Sequence, residues 1–241
     1  MDRIVLVTGG SSGIGKAVAT RFLAEGDSVI ITGRDPGRLA STASEIGAKP
    51  VTCDASDPAQ VARLADEVGS RLDVLVNAAG GNTDFERDSD GEQSLAQVSA
   101  AWRANLDANL LSAVLTTAAV LGKLQPGGSI INIGSIGAEH ASTSYGAAKA
   151  ALSAWTAGLS AQVGPSGVTA NVISPGYIAG TGFFRDRLTD ERRASLIDAT
   201  HTKRAGQPDD VAATTAFLAS GGARHLTGQT IHLNGGAHTT R

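Results

Sequence analysis

The feature that most restricts this fold is a repeated alternation along the chain. Short, nearly uninterrupted apolar runs rich in β-branched residues are each followed by a longer helix-like stretch. The runs fall at 4–7, 28–32, 50–53, 74–76, 129–133, 168–173 and 230–233, and the helical stretches at 14–25, 36–46, 58–69, 92–122, 144–163 and 208–219. A strand apolar on both sides cannot leave either side to water. Such strands belong in a parallel sheet covered by helices on both faces. Successive right-handed βαβ units then give a doubly wound α/β sheet, with ligands bound beyond the carboxyl ends of its strands.

Composition sets the bounds. The 241 residues, 41% hydrophobic and 18% charged, suffice for one large domain with a substantial core and exclude general disorder. Lysine and arginine number 20 against 23 acidic residues, a net charge of −3 that argues against a nucleic-acid partner. Cys53 is the single cysteine, so neither an intrachain disulfide nor a thiolate metal cluster can form. No apolar run reaches the roughly 20 residues of a membrane span. The first predicted strand comes directly after Met1-Asp2-Arg3 and leaves no room for a signal peptide. The expectation is a cytoplasmic protein without membrane or nucleic-acid partners.

The segments at the carboxyl ends of the strands are the informative ones. After the first strand come Gly9-Gly10-Ser11-Ser12-Gly13-Ile14-Gly15 and a helix. Glycines at 9, 13 and 15 let the backbone approach a ligand, and the helix N-terminus offers free N–H groups to a pyrophosphate. Gly9, Ser11, Ser12, Gly13, Ile14 and Gly15 are therefore candidate dinucleotide contacts. After the second strand, Gly33-Arg34-Asp35 replaces the usual strand-end carboxylate. Arg34 suits a 2′-phosphate and hence NADP(H). Asp35 is the competing feature, favouring NAD(H) if it points inward. Asp54 after the third strand can accept from an adenine amino group, while Asp57 is the better cap for the next helix. Asn77-Ala78-Ala79-Gly80 comes after the fourth strand. Asn77 can tie strand ends together, and Ala78 and Gly80 leave room for a cofactor.

Tyr145 and Lys149 lie four residues apart in a predicted helix, on one face. A nearby ammonium is expected to lower the phenol's pKa toward the working range, making Tyr145 a general acid/base. Ser135 ends the fifth strand and can hydrogen-bond a substrate oxygen.

Together with Ser174-Pro175-Gly176 and the late segment Leu226 through Asn234-Gly235-Gly236, these motifs resemble the short-chain dehydrogenase/reductase family over nearly the whole chain. The nearest general likeness is to its β-ketoacyl carrier-protein reductase-like branch. The resemblance implies a single Rossmann-type domain over 1–241, with about seven parallel strands and a substrate lid near 182–202. It makes Tyr145 the acid/base, Lys149 the holder of the nicotinamide ribose and Ser135 the carbonyl anchor. It places Pro175, Gly176, Ile178 and Thr181 on the cofactor. A family asparagine that positions a proton-relay water falls on Asn109, with Asn105 as the decoy. It also implies a homo-oligomer, a tetramer or dimer. Two features depart from the family. Only ten residues separate Ser135 from Tyr145, which predicts an open substrate side. Thr181 also stands one residue later than is usual.

Other residues carry less. His140, His201, His225, His232 and His238 show no metal-ligand spacing, and no metal is expected. His140 reads as a solvated loop residue, and Trp155 and Leu159 as core or subunit contacts. Phe183 and Phe184 either touch an apolar substrate or pack under the lid. The leading expectation is an NADP(H)-dependent oxidoreductase interconverting a carbonyl and a secondary alcohol. The alternatives are an NAD-dependent alcohol dehydrogenase and a non-catalytic dinucleotide-binding sensor or scaffold.

Overall fold

The computed structural model describes residues 2–86 and 93–240. Seven strands form one sheet: β1 (Ile4–Thr8), β2 (Ser28–Gly33), β3 (Lys49–Thr52), β4 (Leu72–Asn77), β5 (Leu124–Ile133), β6 (Thr169–Pro175) and β7 (Thr230–Leu233). All neighbours pair in parallel, in the order β3-β2-β1-β4-β5-β6-β7. The order reverses between β1 and β4, which puts the crevice of a doubly wound sheet there. Every apolar run of the sequence is a strand. β5 starts earlier than the apolar pattern suggests because its first residues, Leu124 to Gly128, precede a register shift opposite Leu72 and Val74.

The helices are α1 (Gly13–Ala24), α2 (Pro36–Ile46), α3 (Pro58–Val68), α4 (Leu95–Leu106), α5 (Ser112–Val120), α6 (Ser144–Val163), α7 (Asp190–Asp198) and α8 (Pro208–Leu218). Strand residues alternate between two cores, as a pleat of period two requires. Val5, Val7, Ile31, Val76 and Ile131 meet Val18 and Phe22 of α1 and Val211 and Leu218 of α8. Leu6, Ile30, Leu75 and Ile130 meet Leu64 of α3, Val120 of α5 and Leu159 and Val163 of α6. Burial on both faces explains the unbroken apolar character of the strands.

One expectation needs correction. The predicted helix at 92–122 is not continuous; its first residue lies outside the described residues. A π-turn at Asp107–Leu111 separates α4 from α5 and carries the buried Asn109. The stretch Leu95–Lys123 also meets the length and mean hydropathy of a membrane span, contrary to the sequence reading. It packs on the protein instead: Asn105, Asn109, Ser112, Thr116 and Thr117 are all buried in it. α7 is a second addition, a helix inside the segment expected to be a lid.

A chain of buried amides ties the sheet to α6. Asn77 Nδ2 donates to Asn132 Oδ1 at 2.8 Å and to Thr117 Oγ1 at 3.1 Å, and Asn132 Nδ2 donates to Thr156 Oγ1 at 2.8 Å. Asn77 and Asn132 are register partners on β4 and β5. Asn77 thus bridges strand ends as its position suggests. Asn132→Ala should cost about 1–3 kcal/mol, because it leaves one N–H of the buried Asn77 amide unpaired, the other still reaching Thr117. Urea unfolding, read as a lowered midpoint with unchanged slope, checks this.

Candidate active site

The crevice is built where the loops after β1 and β4 meet. Thr8 Oγ1 accepts the N–H groups of Ala78 and Ala79, each at 3.1 Å, and so fastens one loop to the other. The turn leading into α1 is tight: a Cβ on Gly15 would sit 2.3 Å from Gly9 O, so no other residue fits. Gly13 has φ +51°, and a Cβ there would reach the Thr181 side chain at 3.5 Å. Thr181 therefore closes the other side of the glycine loop, its hydroxyl donating to Ile178 O at 3.1 Å. Pro175 ends β6, and the Gly176 N–H donates to Leu233 O.

The N-terminus of α1 differs from those of its neighbours. Asp35, Asp57, Thr143 and Thr189 cap α2, α3, α6 and α7 with side-chain oxygens. Ser12 gives α1 no such bond, and its first turn has no acidic residue. Its amides remain available to an anion. Ser11 Oγ lies 3.2 Å from where a Gly33 Cβ would stand, which brings the glycine loop beside the end of β2. Arg34 is exposed just beyond. The Asp35 carboxylate caps α2, its Oδ1 accepting from Gly37 N and Arg38 N at 3.0 Å each. Asp54 Oδ1 accepts from Ser56 N and Ser56 Oγ, while Asp57 caps α3.

The two asparagines of the α4 region do different jobs. Asn109 latches the segment after β4: its Oδ1 accepts from Gly81 N at 3.0 Å and its Nδ2 donates to Gly81 O at 2.9 Å. A Cβ on Gly80 would meet that Oδ1 at 2.6 Å. Asn105 instead binds Thr83 N, Asp84 Oδ1 and Ser144 Oγ, below the start of α6.

Ser135, Tyr145 and Lys149 come together at the end of β5. Ser135 Oγ accepts from Gly137 N at 3.1 Å, and Ser135 and the Tyr145 ring both flank Gly137, close enough for the hydroxyl to act on the phenol. The short connection closes because Gly146 abuts Gly137 O, where a Cβ would stand at 2.6 Å, and because Ala141 adopts φ +45°. Lys149 Nζ donates to Ile133 O at 2.8 Å and lies 5.9 Å from the Tyr145 ring centre. Burial pushes the Lys149 ammonium down to about 8. It pushes the Tyr145 phenol up to about 12, opposed only by the bond to Ser135. This corrects the expectation of a phenol lowered by its neighbouring ammonium: the ammonium is spent on a backbone carbonyl, and desolvation wins.

The substrate side is not open, contrary to the expectation from the short loop. The Phe183 ring covers Tyr145 with centres 5.5 Å apart, and Phe85 and Phe184 pack edge-on or tilted around it. Tyr177 extends the cluster through Phe184. Phe85 and Tyr177 carry no signal in the sequence, since neither has a patterned neighbour. Trp155 and Leu159 belong to the core, and His140 is exposed. Folding also gathers Glu139, His232 and His238, with ligand atoms all within 4.8 Å of one another. Spacing along the chain could not reveal that group, because its members come from a loop, a strand and the tail.

A phenol, an ammonium and a hydroxyl converging at the carboxyl edge of this sheet can hold a carbonyl oxygen and exchange a proton with it, the chemistry of an oxidoreductase acting on CH–OH and C=O groups. Comparison with known proteins agrees. The sequence profile described as "Enoyl-(Acyl carrier protein) reductase" matches residues 9–238. The "Short-chain reductase protein NovJ" of Streptomyces niveus is 35% identical over 253 residues, covering 98% of this chain and 94% of that protein. The "3-oxoacyl-[acyl-carrier-protein] reductase FabG" of Salmonella typhimurium is 33% identical over 248 residues, covering 98% and 97%. A short-chain dehydrogenase of Burkholderia cenocepacia J2315, solved in complex with NADP, has 31% identity and a TM-score of 0.83, covering 98% and 97%. The chain belongs to the short-chain dehydrogenase/reductase family, in its β-ketoacyl carrier-protein reductase-like branch.

The lowered Lys149 gives a pH signature. Its ammonium is present below about pH 8 and lost above it. The kcat/KM for the dinucleotide, which reports the free enzyme, should be level at low pH and fall as pH rises through about 8. Lys149→Met should remove that inflection; an inflection that persists assigns it to another group.

Proposed function

We propose that this protein reduces a carbonyl to a secondary alcohol with NADPH, or runs the reverse oxidation with NADP+. The observation that carries the reading is the contact of Ser135, Tyr145 and Lys149 at the end of β5. The residues present fit a dinucleotide: α1 is left uncapped, Gly9, Gly10 and Gly15 leave no room for a Cβ, and Thr181 faces Gly13. On this reading Gly9, Ser11, Ser12, Gly13, Ile14, Gly15 and Thr181 hold the pyrophosphate side. Asp54 takes the adenine, and Asn77, Ala78 and Gly80 flank the ribose. Pro175, Gly176 and Ile178 meet the nicotinamide side. When bound, the dinucleotide supplies or accepts the hydride.

The chain's own groups handle the proton. Ser135 Oγ and Tyr145 Oη hold the carbonyl oxygen and stabilise the charge that develops on it. Tyr145, pushed up to about 12 by burial, keeps its proton in the closed site and can donate it as the alkoxide forms. Lys149 holds the ribose and keeps a positive charge near the phenol. Asn109, in its π-turn, positions the water that reconnects Lys149 to solvent. No metal takes part in this proton transfer.

Preference for NADP(H) over NAD(H) rests on Arg34, which has no carboxylate partner among the described residues, and on Asp35, whose Oδ1 is engaged in capping α2. The NADP-bound Burkholderia neighbour supports it. The aromatic cluster around Tyr145 favours a carbonyl next to an apolar chain or ring, with 182–202 as the lid that carries Phe183 and Phe184. Self-association into a dimer or tetramer is part of the reading. It is supported by Leu95, 88% exposed, and by exposed Trp102 and Leu111 along α4 and the π-turn. A cytoplasmic setting fits the buried, unpaired Cys53.

Turnover of a panel of ketones and acyl thioesters with NADPH, read by loss of absorbance, tests the activity. Tyr145→Phe should lower kcat roughly 100- to 10,000-fold while leaving NADPH binding intact. Unchanged turnover would remove Tyr145 from the chemistry, and binding without turnover in the wild type would favour a sensor. Arg34→Ala should weaken NADPH about ten- to a hundredfold and leave NADH unchanged, as loss of a charge-assisted pair requires. Equal losses with both cofactors would reject a 2′-phosphate role.

A further inference from the structure

The group formed by Glu139, His232 and His238 has no part in carbonyl chemistry, yet it has the makings of a metal centre. Glu139 stands in the short helical turn after Ser135, His232 on β7 and His238 in the tail beyond it. His238 Nε2 lies 3.4 Å from Glu139 Oε2, and His232 Nε2 lies 3.9 Å from Glu139 Oε1. The two imidazole rings are 5.1 Å apart, centre to centre. Each histidine carries a buried ring nitrogen with no hydrogen-bond partner: Nε2 of His238 and Nδ1 of His232. A buried nitrogen without a partner costs free energy, and two in one cluster call for an explanation.

We propose that Glu139, His232 and His238 bind a divalent first-row transition ion of the zinc type. Two imidazoles and one carboxylate are the borderline donor set that zinc and its neighbours take. With bonds of about 2.1 Å, donors at the corners of a tetrahedron stand about 3.4 Å apart. The nitrogen–oxygen separations of 3.4 and 3.9 Å are already close to that, so side-chain adjustment alone completes the site. Water fills the fourth position. The ion also gives the unpartnered His238 Nε2 something to bind, while His232 would ligate through Nε2 and not through its unpartnered Nδ1.

The role is structural. The ion joins the turn after Ser135 to the last strand of the sheet and to the C-terminal tail. The same tail already holds the far end of the lid: Thr202 N donates to Gly235 O at 3.1 Å, and Gly236 lies against the His201 ring. Metal binding therefore fastens both walls of the substrate side through one short segment. It is independent of hydride transfer, so its failure would leave the oxidoreductase reading untouched.

The test is titration of the full, untagged chain with Co2+ after chelator treatment. Expected is saturable uptake of one ion per chain, with visible ligand-field bands of a low-coordinate site and no thiolate charge-transfer band. Zn2+ should displace the cobalt and raise the Tm. His238→Ala and Glu139→Gln should each weaken binding roughly tenfold or more and abolish the Tm rise, since even outer partners of a metal cost that much. Both positions lie outside the buried core, and circular dichroism confirms folding. His225→Ala, at an exposed histidine outside the group, should bind as the wild type does. Absence of saturable uptake, or affinity unchanged by His238→Ala, would overturn the proposal.

Discussion

A buried ammonium hydrogen-bonded to the last carbonyl of a central strand is the contact on which the site depends. Lys149 Nζ reaches Ile133 O at 2.8 Å with no ion-pair partner among the described residues. An ammonium out of water is costly, and here one carbonyl and the proximity of the Tyr145 ring are its visible compensation. The cost appears as a lysine pushed down to about 8. In return, the face of α6 that carries Lys149 is pinned to the carboxyl edge of β5, and the phenol one turn away is delivered beside Ser135. The amide chain from Asn77 through Asn132 to Thr156 holds the same helix from below. The scaffold thus orients two reactive groups through buried polar contacts, which fix direction better than apolar packing does.

Burial also decides the state of the phenol. Phe183 and its aromatic neighbours shield Tyr145 from water, so its proton is firmly held until a substrate oxygen or a bound coenzyme changes the local field. If the segment carrying Phe183 and Phe184 serves as the proposed lid, it both excludes water and has to move to admit a ligand. The π-turn at Asp107–Leu111 shows the same economy on the opposite wall. It interrupts a long apolar helix so that one asparagine can bond to Gly81 on both its amide atoms.

Much of the fold is legible in the chain. Strands buried on both faces leave an unbroken apolar signature, so all seven can be located, with boundaries matching at β7 and off by one to several residues elsewhere. The glycine loop can be read because Gly15 admits no Cβ beside Gly9 O. Asp57 and Asn77 behave as their positions suggest. Asp35 is ambiguous in sequence, because a carboxylate after β2 can either cap a helix or face a ribose, and only the fold chooses. The π-turn leaves no trace, since its hydrogen bonds differ while its residues do not. The direction of the Tyr145 shift is hidden because desolvation depends on Phe183, far along the chain. Glu139, His232 and His238 meet only in three dimensions. Long-range encounters of this kind are what periodicity and spacing cannot carry.

On the proposed reading, Tyr145 and Lys149 face the reactive ring of a bound coenzyme across the crevice between the β1 and β4 loops. The decisive measurement is a crystal structure of the protein soaked with NADP+. The pyrophosphate should lie on the α1 N-terminus, with Lys149 Nζ turned from Ile133 O to the ribose and Phe183 drawn back from Tyr145. A dinucleotide bound elsewhere, or one in the crevice with Tyr145 still sealed behind Phe183 and Lys149 still on its carbonyl, would contradict that arrangement.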